Sequence, residues 1–184
     1  MKTVFFDIDS QIDFVYPAGA LYVPGAERIV PVIAELNRRA PLVISTMDAH
    51  SEDDPEFEIY PHHCVVGTIG QQKPSVTLRE KRAVIPARTE GLQQLILEKR
   101  KLDCFTNPSL MPLLAELNAD RYVVYGVVTE ICVRLAAIGL LRTGKRVELV
   151  TDAVKALDES GARKMFDEFT AAGGRLTTLG ALDI

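Results

Sequence analysis

"RYVVYGVVTEICVRLAAIGLLRTG", residues 121–144, decides the fold. Its opening, "RYVVYGV" (121–127), is a nearly unbroken run of β-branched and aromatic side chains. Such a run reads as a strand buried on both faces. "TEICVRLAAIGLLRTG" (129–144) then carries apolar residues at helical spacing, with Gly144 as its stop. A strand that runs almost directly into a helix is the unit from which parallel sheets are built, because parallel neighbours must be joined by a crossover.

The same alternation extends outward in both directions. "KTVFFDID" (2–9) reads as a buried strand, and 24–40 as a helix with Pro24 near its start. Strands are expected at 41–48, 92–99, 146–152 and 175–179, and helices at 107–119 and 158–174. Six strands alternating with helices predict a three-layer α/β/α architecture on a mainly parallel, roughly six-stranded sheet. Residues 49–81 break the pattern: they are polar, and they hold all three histidines among prolines and glycines. A connection of that length inside a compact domain is commonly functional.

The chain has 184 residues, 47% apolar and 25% charged, which is the composition of one globular domain spanning 1–184. The net charge of −4 has both signs interspersed. No basic patch argues for nucleic acid, and no apolar stretch approaches a membrane span. The N-terminal apolar run is too short for a signal sequence and is interrupted at once by acids. Cys64, Cys104 and Cys132 are odd in number and lack framework spacing. That pattern leads us to expect free thiols and a cytoplasmic protein.

In open α/β sheets, ligands bind beyond the carboxyl ends of the strands. The polar residues at those ends are Asp9, Asp48, Lys99, Thr129 with Cys132 just beyond, and Asp152. Two chemistries fit this edge. "FDID" (6–9) resembles the opening motif of haloacid-dehalogenase-type phosphatases. There Asp7 would be the nucleophile and Asp9 the acid/base around Mg²⁺, both facing one side of the strand. The motif departs from that family at Ser10-Gln11. The other chemistry uses Cys132. With Thr129 as N-cap, Cys132 falls in the first helical turn, where free N–H groups and the helix dipole favour a thiolate and an oxyanion. Asp9 and Lys99 at adjacent strand ends, or a histidine of the long loop, could then serve it.

Three motifs resemble one family, the isochorismatase-like cysteine hydrolases, whose best-known members are nicotinamidases. "IDSQIDF" (8–14) is similar to its D-x-Q-x-D-F opening. "EKRKLDCF" (98–105) is similar to its lysine motif. "YGVVTEIC" (125–132) is similar to its G-V-x-T-D-x-C nucleophile motif, with Glu130 in place of Asp. The order and spacing fit over nearly the whole chain. The resemblance implies a catalytic triad of Cys132, Asp9 and Lys99. It also implies a cis peptide at Val127–Val128 and an oxyanion hole formed by the amides of Val128 and Cys132.

The histidine loop gains meaning from the same resemblance. Asp48 and His50 are spaced i, i+2 at a strand end, and His and carboxylate groups suit Zn²⁺ and its neighbours. Nicotinamidases bind a divalent metal through an Asp-x-His pair, a later His or Glu, and a His before Cys. Here those positions are Asp48, His50, Glu56 and His63. The implied metal is Zn, with Fe or Mn as other possibilities, holding a pyridine nitrogen. Phe14, Tyr60 and Phe105 would line the pocket for a flat ring. The implied activity is hydrolysis of a small amide, nicotinamide first, by a homo-oligomer. Three other readings stand beside it: a different amide such as a carbamoyl or ureido compound, the Asp7 phosphatase, and a non-catalytic binding member.

Overall fold

The structure of the protein, a computed structural model, describes residues 1–86 and 89–183. Seven parallel strands form one sheet. They are β1 (Thr3–Ile8), β2 (Val43–Asp48), β3 (Arg82–Val84), β4 (Gln94–Lys99), β5 (Arg121–Val127), β6 (Arg146–Lys155) and β7 (Arg175–Thr177), in the spatial order β3-β4-β2-β1-β5-β6-β7. The helices are α1 (Ile12–Val15), α2 (Val30–Arg39), α3 (Leu110–Leu117), α4 (Arg134–Leu141) and α5 (Glu159–Ala171). The α/β architecture is the expected one.

Hydrophobic burial explains where the core lies. Every residue of β1, β2 and β5 is buried, as the unbroken apolar runs require of strands covered on both faces. Phe5 meets Tyr125 and Phe6 meets Tyr122 edge-on, one pair on each face of the sheet. Each such ring contributes about 1.5–3 kcal/mol by burial. In α2 the inward stripe is Val30, Ile33, Leu36 and Asn37. Gly126 has φ 118°, and a Cβ there would sit 2.0 Å from the Ile8 carbonyl oxygen. Only glycine lets β5 approach the end of β1 this closely.

Three sequence expectations change. The seventh strand, β3, was not foreseen: it is three residues long, at the sheet edge, and it begins with Arg82 directly after Glu80 and Lys81. A short, charged edge strand carries almost no alternation signal, and it is a common way to blunt an edge. The strand expected at 146–152 continues to Lys155. The helix expected from Thr129 begins as a π-helical turn over Thr129–Val133, with Val128 rather than Thr129 at the capping position. Its Val128 carbonyl accepts from the amides of both Ile131 and Val133. No helix among the described residues is long and apolar enough to cross a membrane.

The strand order places the site. Crossovers from β1 run to β2 and β4 on one side, while β5, β6 and β7 extend on the other. Connections therefore diverge between β1 and β5, and a crevice opens beyond the carboxyl ends of those two strands. Asp9 follows β1, and Cys132 follows β5 by one π-helical turn.

Candidate active site

Asp9, Lys99 and Cys132 meet at this crevice. Lys99 Nζ lies 2.9 Å from Asp9 Oδ2 and 4.0 Å from Cys132 Sγ. It also reaches Asp48 Oδ1 at 2.5 Å. All four residues are buried, and none is more than 8% exposed. Lys99 ends β4 and pairs in register with Asp48, the last residue of β2. The sheet itself thus sets the ammonium beside two carboxylates.

Asp9 is held in a conformation that the strand does not supply. Its φ is 45°, in the left-handed region. The Thr46 hydroxyl donates to Asp9 Oδ1 at 2.6 Å and accepts from the Asp9 amide at 3.1 Å. Asp9 Oδ2 is buried and faces the Lys99 ammonium at 2.9 Å without a well-directed hydrogen bond. The backward turn at Asp9 corrects the expectation that Asp7 and Asp9 face the same side. Asp7 pairs in register with Ser45, whereas Asp9 contacts Thr46, whose side chain points to the other face. Asp7 is fully buried, with Lys73 Nζ at 3.2 Å and Ser10 donating to it at 2.6 Å. It faces away from the crevice and has no open side for a phosphate ester.

The electrostatics differ from a preformed thiolate. Burial pushes the Cys132 thiol well above its ordinary range; Lys99 opposes this, while Asp9 and Asp48 add to it. A resting thiol therefore replaces the thiolate expected from the helix start, because desolvation outweighs a single shared ammonium. Burial also pulls Lys99 down, but Asp9, Cys132 and Asp48 together hold it well above the usual lysine value. Lys99 is a fixed cation. The peptide Val127–Val128 is cis, as the resemblance implied.

On the other side of Asp48, three side chains offer ligand atoms that lie within 4.8 Å of one another: Asp48, His50 and His63. Their surroundings test whether an ion fits. His63 Nδ1 is 2.7 Å from the Pro61 carbonyl, which assigns the proton to Nδ1 and leaves Nε2 as a lone-pair donor. His50 is fully buried, and its Nε2 has no hydrogen-bond partner. Its Nδ1 is 3.1 Å from Asp54 Oδ2. Two imidazoles with orphaned or freed nitrogens beside a carboxylate fit a divalent ion of the zinc type. Burial lowers His63, which keeps it neutral and able to ligate. Burial raises Asp48 to about 6 despite Lys99. Glu56 stands outside the trio: its Oε1 is 3.8 Å from His63 Nε2. His62 is exposed and stacks on Phe57 instead.

A small, almost wholly apolar pocket joins the two groups. Phe14, Leu21, Val23, Tyr60, Leu102, Ile131 and Leu157 line it, with Asp9, Cys132, Asp48 and His63 at its polar end. Phe14 and Tyr60 were expected there; the Phe14 ring centre is 5.4 Å from that of His63. Phe105 was also expected but lies elsewhere. Its ring packs on Gly139 of α4, where a Cβ would sit 2.2 Å away, and Leu102 provides the wall. A wider cleft between α2 and residues 76–80 contains neither a thiol nor a histidine.

Several contributing residues were missed. Thr46 could have been found, since it precedes Asp48 by two residues on the same strand face. Asp54 comes four residues after His50, though spacing alone does not distinguish it from its acidic neighbours. Gln11 Nε2 donates to the carbonyls of Asp48 and Gln71, and its Oε1 accepts from the Asp48 amide. This clamps the Asp9 turn to the end of β2. Asp13 accepts from the amides of Ala20 and Cys64, bracing two loops. Asp152 accepts from the Leu179 amide, although it lies within β6 and not at its end. The wall residues Leu21, Leu102 and Leu157 come from loops, and no periodicity marks them.

Comparison with known proteins agrees with this fold. The family profile described as the Isochorismatase domain matches residues 3–181. A nicotinamidase of Acinetobacter baylyi is 26% identical over 199 residues, covering 90% of this chain and 87% of that protein. A nicotinamidase of Escherichia coli is 26% identical over 202 residues, covering 94% and 92%. Among solved structures, the pyrazinamidase of Pyrococcus horikoshii in complex with zinc superposes with a TM-score of 0.85 at 28% identity, over 97% of this chain and 99% of that one. A match along almost the entire length, on the same sheet, is decisive: the chain belongs to the isochorismatase domain family.

Proposed function

We propose that this protein is an amidohydrolase of the nicotinamidase type, with Cys132 as nucleophile, Asp9 as acid/base and Lys99 as the fixed cation between them. The observation that carries the reading is the meeting of a buried thiol, a carboxylate oxygen without a directed donor and an ammonium at one end of an apolar pocket. The relatives' names support the amide class.

In the proposed mechanism, Asp9 Oδ2 takes the thiol proton as Sγ attacks the amide carbon. Lys99, 2.9 Å from Asp9, compensates the negative charge that moves between carboxylate and sulfur. The amides of Val128 and Cys132 would receive the oxyanion. Asp9 returns the proton to the leaving nitrogen, ammonia departs, and water hydrolyses the thioester with Asp9 again as base. Phe14, Tyr60 and Leu102 hold a flat ring and exclude water. Asp48, His50 and His63 would hold a divalent ion, which supplies a Lewis-acidic anchor for a ring nitrogen.

Ammonia release from nicotinamide and pyrazinamide is the direct test, alongside a carbamoyl and a ureido substrate. Turnover on neither pyridine nor pyrazine amide, with turnover on another amide, would remove the substrate class and leave the thiol chemistry. The metal is tested separately. Purified protein is expected to carry about one equivalent of a divalent metal by elemental analysis, and His50→Ala to carry little. A chelator should lower turnover at low substrate roughly tenfold to a hundredfold, with recovery on adding zinc. Full activity in chelated, metal-free protein would refute the anchor role.

A further inference from the structure

We propose that the buried pair Lys73–Asp7 is a positioning device for Asp9, acting through the hydroxyl of Ser10. The inference rests on the reading of Asp9 as the acid/base. Asp9 is a non-glycine residue at φ 45°, a conformation that persists only where its surroundings hold it. Thr46 holds its carboxylate from the crevice side. Ser10 holds its turn from behind.

Ser10 is fully buried. Its hydroxyl donates to Asp7 Oδ1 at 2.6 Å and accepts from Lys73 Nζ at 2.9 Å. Lys73 Nζ is also 3.2 Å from Asp7 Oδ2. That second oxygen accepts from Ser45 Oγ at 3.1 Å and from Asn37 Nδ2 at 3.3 Å. The Tyr125 hydroxyl, from β5, donates to Asn37 Oδ1 at 2.5 Å. The network therefore grips Ser10, next to Asp9, and Ser45, next to Thr46. It fixes both partners of the Asp9–Thr46 contact from the opposite face of the sheet.

Chemistry favours this reading over simple packing. Two charges without solvent are a costly way to fill a core, and apolar side chains of similar size commonly do as well for stability. A hydroxyl placed between a carboxylate and an ammonium has one orientation, whereas apolar packing would leave the turn free to rotate. Asp7, Lys73 and Ser10 do not line the pocket, so they are positioning residues and not catalytic ones.

Ser10→Ala is the sharpest test, because it leaves the Lys73–Asp7 contact in place and removes only the link. We expect kcat to fall roughly tenfold to a hundredfold, KM to stay within about twofold, and Tm to fall by a few degrees as Asp7 Oδ1 loses a buried donor, with the protein still fully folded at assay temperature. The rate of Cys132 alkylation by iodoacetamide at neutral pH, followed by mass spectrometry, should fall in parallel. The paired variant Asp7→Asn/Lys73→Met, which strands no charge, should show the same split between kcat and KM. Wild-type kcat and alkylation rate in Ser10→Ala would overturn the proposal. A loss that tracks only the unfolded fraction in both variants would overturn it equally. If the wild-type protein hydrolyses no amide, the function fails separately, and the alkylation rates still decide the positioning role.

Discussion

Cys132→Ala is expected to abolish ammonia release, with a loss of roughly ten-thousandfold or more in kcat, while the protein stays folded. Sγ is the atom that would bond to the substrate carbon, and no neighbouring group can replace it. Lys99 is held protonated by Asp9, Cys132 and Asp48. Asp9 is a weak nucleophile turned toward the thiol. The substitution removes one buried sulfur, so its cost in stability should be about 1 kcal/mol. Cys132→Ser should be nearly as inactive, since a hydroxyl is far less acidic than a thiol and a carboxylate cannot deprotonate it efficiently. Cys104→Ala is the control. Its thiol is pushed up to about 12, chiefly by burial, and it lies outside the pocket. Ammonia release from any amide that survives Cys132→Ala would remove the thiol mechanism altogether.

Much of this could be read in the sequence because it follows from period and order. Continuous apolar runs mark six of the seven strands, and Asp9, Asp48, Lys99 and Cys132 stand at or just beyond strand ends. The resemblance implied a triad within that set and four metal ligands, Asp48, His50, Glu56 and His63, of which Asp48, His50 and His63 offer ligand atoms within 4.8 Å of one another. What was hidden depends on long-range contacts. Phe105 is the last residue of the lysine motif, yet its direction is set by Gly139, more than thirty residues on. Glu56 is within reach of His63 but outside the trio, because the loop's path after His50 has no periodicity to follow. The state of the thiol was misjudged for a related reason. A helix start suggests stabilisation of an anion, whereas the depth of burial, which the sequence does not carry, decides the balance.

Asp7 shows how a local rule fails at a strained residue. Strand alternation puts Asp7 and Asp9 on one face. The left-handed turn at Asp9 reverses that and puts the two carboxylates on opposite faces, one against Ser45 and the other against Thr46. Lys73, which neutralises Asp7, stands in the long loop without any motif. In the proposed arrangement Asp7 anchors the turn behind Asp9.

Lys99→Met is expected to cost both chemistry and stability, and the two losses should respond differently to pH. Lys99 Nζ lies between Asp9 and Asp48, at 2.9 and 2.5 Å. Without it, no cation accompanies the carboxylate–thiol pair, and kcat should fall roughly a hundredfold to a thousandfold at every pH. Two buried carboxylates also lose their common partner. Breaking such a contact from one side costs about 3–5 kcal/mol at neutral pH. In chelated protein, Asp48 is already raised to about 6, with burial as the main cause and Lys99 pulling against it. Removing the ammonium must raise it further. A carboxyl with a raised folded value binds its proton more tightly in the folded state than in the unfolded one. Its stabilising contribution is complete below about pH 4 and is lost as pH rises toward the folded value. The Tm of metal-free Lys99→Met should therefore approach that of wild type near pH 4 and fall away steadily to pH 7 and beyond. Activity should not recover at low pH, because protonating the carboxylates removes the base. A Tm difference that is constant between pH 4 and pH 8 would mean that Lys99 stabilises the fold by packing, and that the charge balance described for Asp9, Asp48 and Cys132 is wrong.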